Sequence, residues 1–296
     1  MDRVLRNKKT ILVFLLPTLF FYILTVIYPM FASLYFTFFE GTPNVNMHFV
    51  GLKNYAKLFT DREFAVSFSV TIRFLLMAAT GYVLLGFICA MILAYCLPKR
   101  WSDLGRTILY LPIIIPSVAV SGVFTKIFAL APNYGLINSL LDLVGLHNLI
   151  QPWTSQSSTA LSTVLITDLW RGTGYYALLF YAGWLNVPTD MEEAARLDGC
   201  GTLRIIRHIV LPTIKPVTIM VIVLAVTYAL KVYDTPLTLT NGGPGRATEV
   251  LSMYMYKVAF ANWKYGYGST IAIVMLVLSL GLAELILIFN RRQGRN

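Results

Sequence analysis

Acidic residues are scarce in this chain: 14 Asp and Glu stand against 24 Lys and Arg among 296 residues. All charged residues together make up 13% of it, while 57% is hydrophobic, which excludes an ordinary soluble globular composition. Cysteine is almost missing. Cys89, Cys96 and Cys200 fall in hydrophobic runs or charged loops without metal-like spacing, so no disulfide framework is expected and the three are free thiols. The three histidines, His48, His147 and His208, do not gather into a metal or nucleophile set. No Gly-Lys-Ser/Thr phosphate loop occurs. The chain is therefore expected not to be an enzyme, with no catalytic residue, no metal site and no cofactor; a membrane-embedded enzyme finds no catalytic set here. The net charge of +10 would suit nucleic acid, but the basic residues sit beside hydrophobic runs, where membrane orientation accounts for them. No nucleic-acid partner is expected.

What is abundant is long apolar sequence. A spanning helix needs roughly 20 mostly apolar residues, and six runs qualify: Ile11–Phe39, Arg73–Leu97, Thr107–Leu130, Ser158–Trp184, Ile214–Tyr233 and Gly268–Phe289. The first is too long for a secretory signal and lacks a convincing cleavage site, so it reads as a retained anchor. The majority of the basic residues fall at Arg3, Arg6, Lys8 and Lys9, at Lys99, Arg100 and Arg106, at Arg196, Arg204, Arg207 and Lys215, and at Arg291, Arg292 and Arg295. By the positive-inside rule these segments, and both termini, are cytoplasmic. The resulting fold class is an all-α, multi-pass protein of the lipid bilayer. Its parts are a flank at 1–10, a first helix and outer loop at 11–66, a core of five helices at 67–290 and a tail at 291–296.

The organising stretch is 187–216, the one charge-dense segment between two apolar runs. Thr189 and Glu192 stand three apart, as in a capping box, and good helix formers follow to Leu197. Gly199 and Gly201 are expected to supply positive backbone angles that end this helix and turn the chain. From Thr202 the helical spacing of Leu203, Ile206, Ile209 and Val210 resumes until Pro212 and Pro216 interrupt it.

Elsewhere, Glu40–Glu63 forms an outer loop with a short amphipathic helix near Tyr55 and Leu58, and Asn133–Leu141 forms a second such helix. Pro112 and Pro116 kink the third run, as a hinge or as a packing irregularity. In the fourth run Asp168 and Arg171 share a helix face. A single charge at mid-membrane costs about 2.5–3.5 kcal/mol on insertion scales, so the two face protein or water and each other. With Gly172, Tyr175 and Tyr176 nearby, this surface suits a sugar; an ion pair that only pins helices explains it equally. Lys231 and Asp234 repeat the spacing nearer the outer surface, and Glu284 stands close enough to Arg291 and Arg292 for an inner charge pair. The segment Thr240-Asn241-Gly242-Gly243-Pro244 reads as a turn, since no Gly-Lys-Ser/Thr follows it.

Glu193-Ala194-Ala195, Gly199 and Ile209-Val210-Leu211-Pro212 resemble the EAA loop of ATP-binding-cassette importer permeases. The Phe49–Tyr55 loop resembles the corresponding loop of sugar-uptake permeases, and Thr240–Pro244 with Tyr265-Gly266-Tyr267-Gly268 resembles the loop before the last helix in the larger-subunit, maltose-transporter type. The resemblance covers nearly the whole chain and implies a type I importer architecture of six transmembrane helices in a bacterial or archaeal cell membrane. Its implied partners are a second homologous permease, two ATP-binding subunits and an extracellular solute-binding protein. It implies ATPase coupling through Glu192, Glu193, Ala194, Ala195, Asp198, Gly199, Leu211 and Pro212. Aligned with that family, the sugar-contacting positions fall on Arg171, Gly172 and Tyr175 and on Ala225, Tyr228 and Ala229; Asp168 and Lys231 join them from the reading above. Arg171, Ala225 and Ala229 depart from the maltose pattern, which points away from maltose. An arginine suits an acidic or phosphorylated sugar, or a hydroxyl-rich oligosaccharide. Unlike the maltose subunit, the chain is expected to carry no large outer domain and no additional leading helices. Two rivals remain: the same architecture serving glycerol phosphate, polyamine or another small solute, and an ion-gradient-driven carrier using Asp168 as proton site, although the inverted repeats of many such carriers are not evident.

Overall fold

The computed structural model describes residues 8–43, 45–130 and 132–293. The basic residues Arg3, Arg6 and Arg295 lie outside this range, as do the side chains of Lys8, Lys9, Arg291 and Arg292, and with them the pairing expected of Glu284. The chain is mostly helical. It begins with α1 (Lys8–Tyr22) and α2 (Tyr28–Phe36), joined by a π turn. One departure from the all-α expectation follows: β1 (Phe39–Glu40) and β2 (His48–Phe49) form a two-stranded antiparallel ribbon before α3 (Lys53–Leu58). Strands of two residues give too little alternation to be seen in a sequence.

Then come α4 (Arg62–Met91), α5 (Lys99–Ile114), α6 (Ser117–Ile127), α7 (Leu136–Leu143), α8 (Ala160–Trp184) and α9 (Thr189–Leu197). The remainder comprises α10 (Thr202–Ile205), α11 (Leu211–Thr213), α12 (Lys215–Leu230), α13 (Asp234–Thr240), α14 (Leu251–Tyr256) and α15 (Tyr265–Gln293).

Among the described residues, three helices are long and apolar enough to cross a bilayer: Ile11–Phe36, Arg62–Cys96 and Tyr265–Asn290. The number rises to five if each of two bent pairs, Lys99–Ile114 with Ser117–Ile127 and Thr202–Thr213 with Lys215–Leu230, is one span. The α8 helix has 25 residues, enough to reach across, but its threonines, glycines and charges dilute its apolar character.

The third run corrects the sequence reading. It is two helices bent by 98° at a break rather than one helix with a kink, and its first half starts at Lys99, inside the basic segment read as a loop. Pro112 sits within α5 without breaking it, whereas the chain breaks at Pro116. Ile115, just before that proline, is extended at φ −70°, ψ 132°, as the clash with the pyrrolidine ring requires.

The chain divides into two compact units, one holding residues up to Arg62 with Met255–Leu276 and the other Glu63–Tyr254 with the residues from Val277 on. In the first, Asn54 donates to the carbonyls of Thr37 and Phe39, both at 2.8 Å, tying α3 to the end of α2. The Tyr267 hydroxyl donates to Asp61 at 2.5 Å and Lys57 lies over the Tyr267 ring. The two outer-loop pieces singled out in the sequence thus pack on one another.

In the second unit the core runs through Val70, Phe74, Val164, Phe180, Val210 and Ile214. Helix α8 is its centre, and α5 lies against it at backbone distance: a Cβ added to Gly174 would stand 1.7 Å from the Leu109 carbonyl oxygen. Near by, α6 and α13 pack side by side, with the Thr238 hydroxyl donating to Ser121 Oγ at 2.6 Å.

Gly174→Ala is expected to lower stability by about 1–3 kcal/mol, as overpacking does, measured by thermal unfolding of the purified subunit. Gly122→Ala, in a helix with nothing within 4 Å of the added carbon, should match or slightly exceed the parent.

Candidate functional site

Two places carry the sequence-predicted residues. The first is the charged segment after α8. Trp184, packed on Phe87 and Tyr95 with ring centroids at 5.6 and 5.2 Å, anchors the end of α8, and Arg196 stacks over Tyr95 at 5.8 Å. Helix α9 leaves this anchor short and exposed. Its start differs from the expected capping box. Pro188, at φ −63°, stands at the cap, which moves Thr189 into the first turn; its hydroxyl is 3.5 Å from Asp190 and caps nothing. Its end is as expected at Gly199, which has φ +78°. Cys200 N–H donates to Ala195 O and Gly199 N–H to Arg196 O, at 2.9 and 3.0 Å, the paired bonds of a Schellman turn. Gly201 does not take a positive angle. At φ −71°, ψ 158° it is extended and starts α10, because one left-handed residue already completes the turn.

Glu193, Ala194, Asp198, Gly199, Leu211 and Pro212 are exposed, and Glu192 and Ala195 half-buried. Two large aliphatic side chains stand out in this polar setting: Leu197 is 89% and Leu203 79% exposed. After α10 the backbone widens into a π turn, Ile206–Val210, immediately ahead of Pro212. Such a turn absorbs the missing proline donor, and the chain then bends by 74° into α12.

The second place surrounds Asp168, which is 0% exposed. Three hydroxyls donate to its carboxylate: Tyr82 from α4 at 2.6 Å, Tyr228 from α12 at 2.9 Å and Thr235 from α13 at 2.8 Å. Arg171, one turn along α8, is only loosely paired with it, Nη2 to Oδ1 being 3.9 Å. The tighter link runs through a relay, since Arg171 Nη2 donates to the Tyr228 hydroxyl at 2.8 Å. A buried carboxylate needs such a set of donors to be tolerated at all.

Beside this network lies a cavity of about 370 Å³. Tyr175 and Tyr228 supply aromatic surface, backed by the buried Tyr82 and Tyr176, Ile113 and Leu224 supply aliphatic surface, and Arg171 and Lys231 the charge. Gly172 completes the wall because a Cβ there would come within 2.7 Å of the Tyr82 ring. Asp168 stands behind the wall and does not line the cavity. Ala225 and Ala229 are fully buried on α12, among core side chains rather than at the surface of the cavity.

The repeat of that spacing at Lys231 and Asp234 forms no ion pair among the described residues. Helix α12 ends at Leu230 and α13 begins at Asp234, so the two residues never share a helical face. Sequence reading missed Tyr82 and Thr235, which lie 86 and 67 residues from Asp168; no local spacing could mark them. The Thr240–Thr248 segment is a closed turn, as expected. Thr248 Oγ1 lies 2.7 Å from Thr240 Oγ1 and donates to Gly243 O at 2.9 Å. Among the described residues no three His, Cys, Asp or Glu side chains gather in a way that could hold a metal ion.

Non-helical backbone and charge are tolerated at membrane depth only where they face protein or a polar cavity, and broken helices around such a cavity are characteristic of membrane-embedded solute transporters. Residues 82–295 match the family described as binding-protein-dependent transport system inner membrane component. The chain belongs to that family. It is 35% identical over 279 residues, 94% of each chain, to the probable ABC transporter permease protein YurN of Bacillus subtilis. It is 32% identical over 276 residues to the trehalose/maltose transport system permease protein MalF of Thermococcus litoralis, covering 93% of this chain and 91% of that one. A chain in the crystal structure of a bacterial alginate ABC transporter, in complex with alginate pentasaccharide-bound periplasmic protein, superposes with a TM-score of 0.84 at 20% identity. The match covers 95% of this chain and 94% of that one.

Tyr82→Phe is expected to cost about 1–2 kcal/mol, the loss of one hydroxyl donor to a charged acceptor inside a membrane protein. Asp168→Ala should cost about 3–5 kcal/mol by leaving Arg171 without its counter-charge. Denaturation of the purified subunit measures both, and the double variant should fall short of the sum because the two groups are one interaction.

Proposed function

We propose that this chain is the permease subunit of an ATP-binding-cassette importer for a carbohydrate of di- or oligosaccharide size. In this reading six transmembrane helices cross the cell membrane with both termini cytoplasmic. The chain pairs with a second homologous permease, two ATP-binding subunits and an extracellular solute-binding protein. The carbohydrate assignment rests on the trehalose/maltose relative and the alginate transporter, and the tyrosine-walled cavity agrees with it, since aromatic rings cover the apolar faces of sugars while hydroxyls and amines match their polar edges.

Coupling is assigned to the segment 187–216. The observation that carries it is the exposure of Leu197 and Leu203 on either side of a Schellman turn. Burying two such side chains in a cleft of a partner repays docking by about 1.5–3 kcal/mol each. The turn keeps the two short helices at a set angle, so that a push on α9 is delivered to α12 instead of being lost in a flexible loop. Glu192, Glu193, Ala194, Ala195, Asp198 and Gly199 form the docking side, with Leu211 and Pro212 at the return into the bundle. Nucleotide-driven closure of the ATPases would then rock the helices that surround Arg171, Gly172, Tyr175, Tyr228 and Lys231.

Gly199→Val places a β-branched residue at a left-handed angle and costs about 1–2 kcal/mol locally. It is expected to abolish uptake while the subunit still inserts in the membrane. A single cysteine at position 193, in a chain with Cys89, Cys96 and Cys200 replaced, is expected to cross-link to the ATPase in cells accumulating solute. Capture of no nucleotide-hydrolysing protein would sink the coupling assignment.

A further inference from the structure

The cavity beside Asp168 has an unequal charge inventory. Two cations, Arg171 and Lys231, are part of its wall, and no carboxylate is. Asp168 is sealed behind the wall with its oxygens already receiving three hydroxyl donors. It neutralises Arg171 at best, and at 3.9 Å.

Arg171 carries five N–H donors. One goes to Tyr228, and its Nε is buried without a hydrogen-bond partner among the described residues, a condition native proteins rarely leave standing. Lys231 caps the end of α12 and makes no ion pair among the described residues. A guanidinium and an ammonium on one concave surface, with tyrosines between them, match a ligand that joins a flat apolar body to an anionic group. Guanidinium binds carboxylate, sulfonate or phosphate through parallel donors, whereas ammonium acts as a point charge.

We infer that the ligand of this cavity is an anionic saccharide, a sugar bearing a carboxylate or another oxyanion, held through its charge by Arg171 and Lys231 and through its ring by the partly exposed Tyr175 and Tyr228. The inference rests on the carbohydrate reading above and narrows it. A neutral sugar would offer the part-buried Arg171 no counter-charge, and the wall itself holds no acid. A small phosphorylated polyol would meet the cations and leave the tyrosine surface uncovered.

The test uses the complete importer with its binding protein in proteoliposomes. Uptake is measured for a series of uronic-acid mono-, di- and trisaccharides, each against the neutral sugar of the same size and linkage. The parent is expected to accumulate acidic members in preference. Lys231→Gln and Arg171→Gln should each lower the acidic-to-neutral ratio by about tenfold or more, the loss of one charged hydrogen bond, and Lys231→Arg should restore most of it. Lys231 is exposed at a helix end, so its variants report on charge even if the Arg171 variant fails to fold. Preference for neutral members, or a ratio unmoved in Lys231→Gln, overturns the anionic ligand and leaves the carbohydrate reading intact. Accumulation of no member of the series overturns both.

Discussion

The second unit is organised around one buried negative charge. Asp168 has no exposure to solvent, and a carboxylate placed there without partners would cost more than the marginal stability of a whole domain. The structure satisfies it from three segments, taking a tyrosine from α4, a tyrosine from α12 and a threonine from α13, with Arg171 of its own helix held one hydroxyl away. None of those helices can leave its place without stripping a donor from the carboxylate. Burial of Phe74, Val164 and Phe180 supplies attraction without direction; the hydroxyls on Asp168 specify which face of each helix is turned inward.

That constraint also explains why the helices around the site are interrupted. Thr235 reaches Asp168 only because the chain stops being helical between Leu230 and Asp234, and α13 finds its neighbour, α6, only because Pro116 ends α5. The breaks are expensive in an apolar setting, where each freed carbonyl and N–H needs a partner. Side-chain donors recover part of the cost, as where the Ser252 hydroxyl donates to the Val232 carbonyl in the break between α12 and α13. The same local solution recurs at the other end of α12, where the π turn ahead of Pro212 accommodates a residue that cannot donate.

How much of this could be read from the residues depends on the range of the interaction. The apolar runs were legible as helices because their cause is local composition, and Gly199 was legible as a turn because only a left-handed angle closes a helix so abruptly. Asp168 and Arg171 were legible as a pair because three residues of helix bring them to one face. Boundaries were less so: α4 begins at Arg62 and α5 at Lys99, since long polar side chains at a helix end reach solvent or headgroups at little cost. Capping at Thr189 was misread because a proline one residue earlier took the cap position. Tyr82 and Thr235 carry no local signature, and their role exists only once distant helices are packed. The Lys231–Asp234 pair failed for the converse reason, its spacing being helical in the sequence and the backbone between them not.

The contact between Gly174 and the Leu109 carbonyl has a mechanical meaning beyond stability. Two helices separated by side chains can slip, because rotamers rearrange between them; here backbone meets backbone and nothing deformable is interposed. Helices α5 and α8 are therefore seated on one another without backlash. A displacement applied to either would have to be absorbed at joints that lack such a seat, such as the bend at Ile214 and the gap from Lys231 to Tyr233.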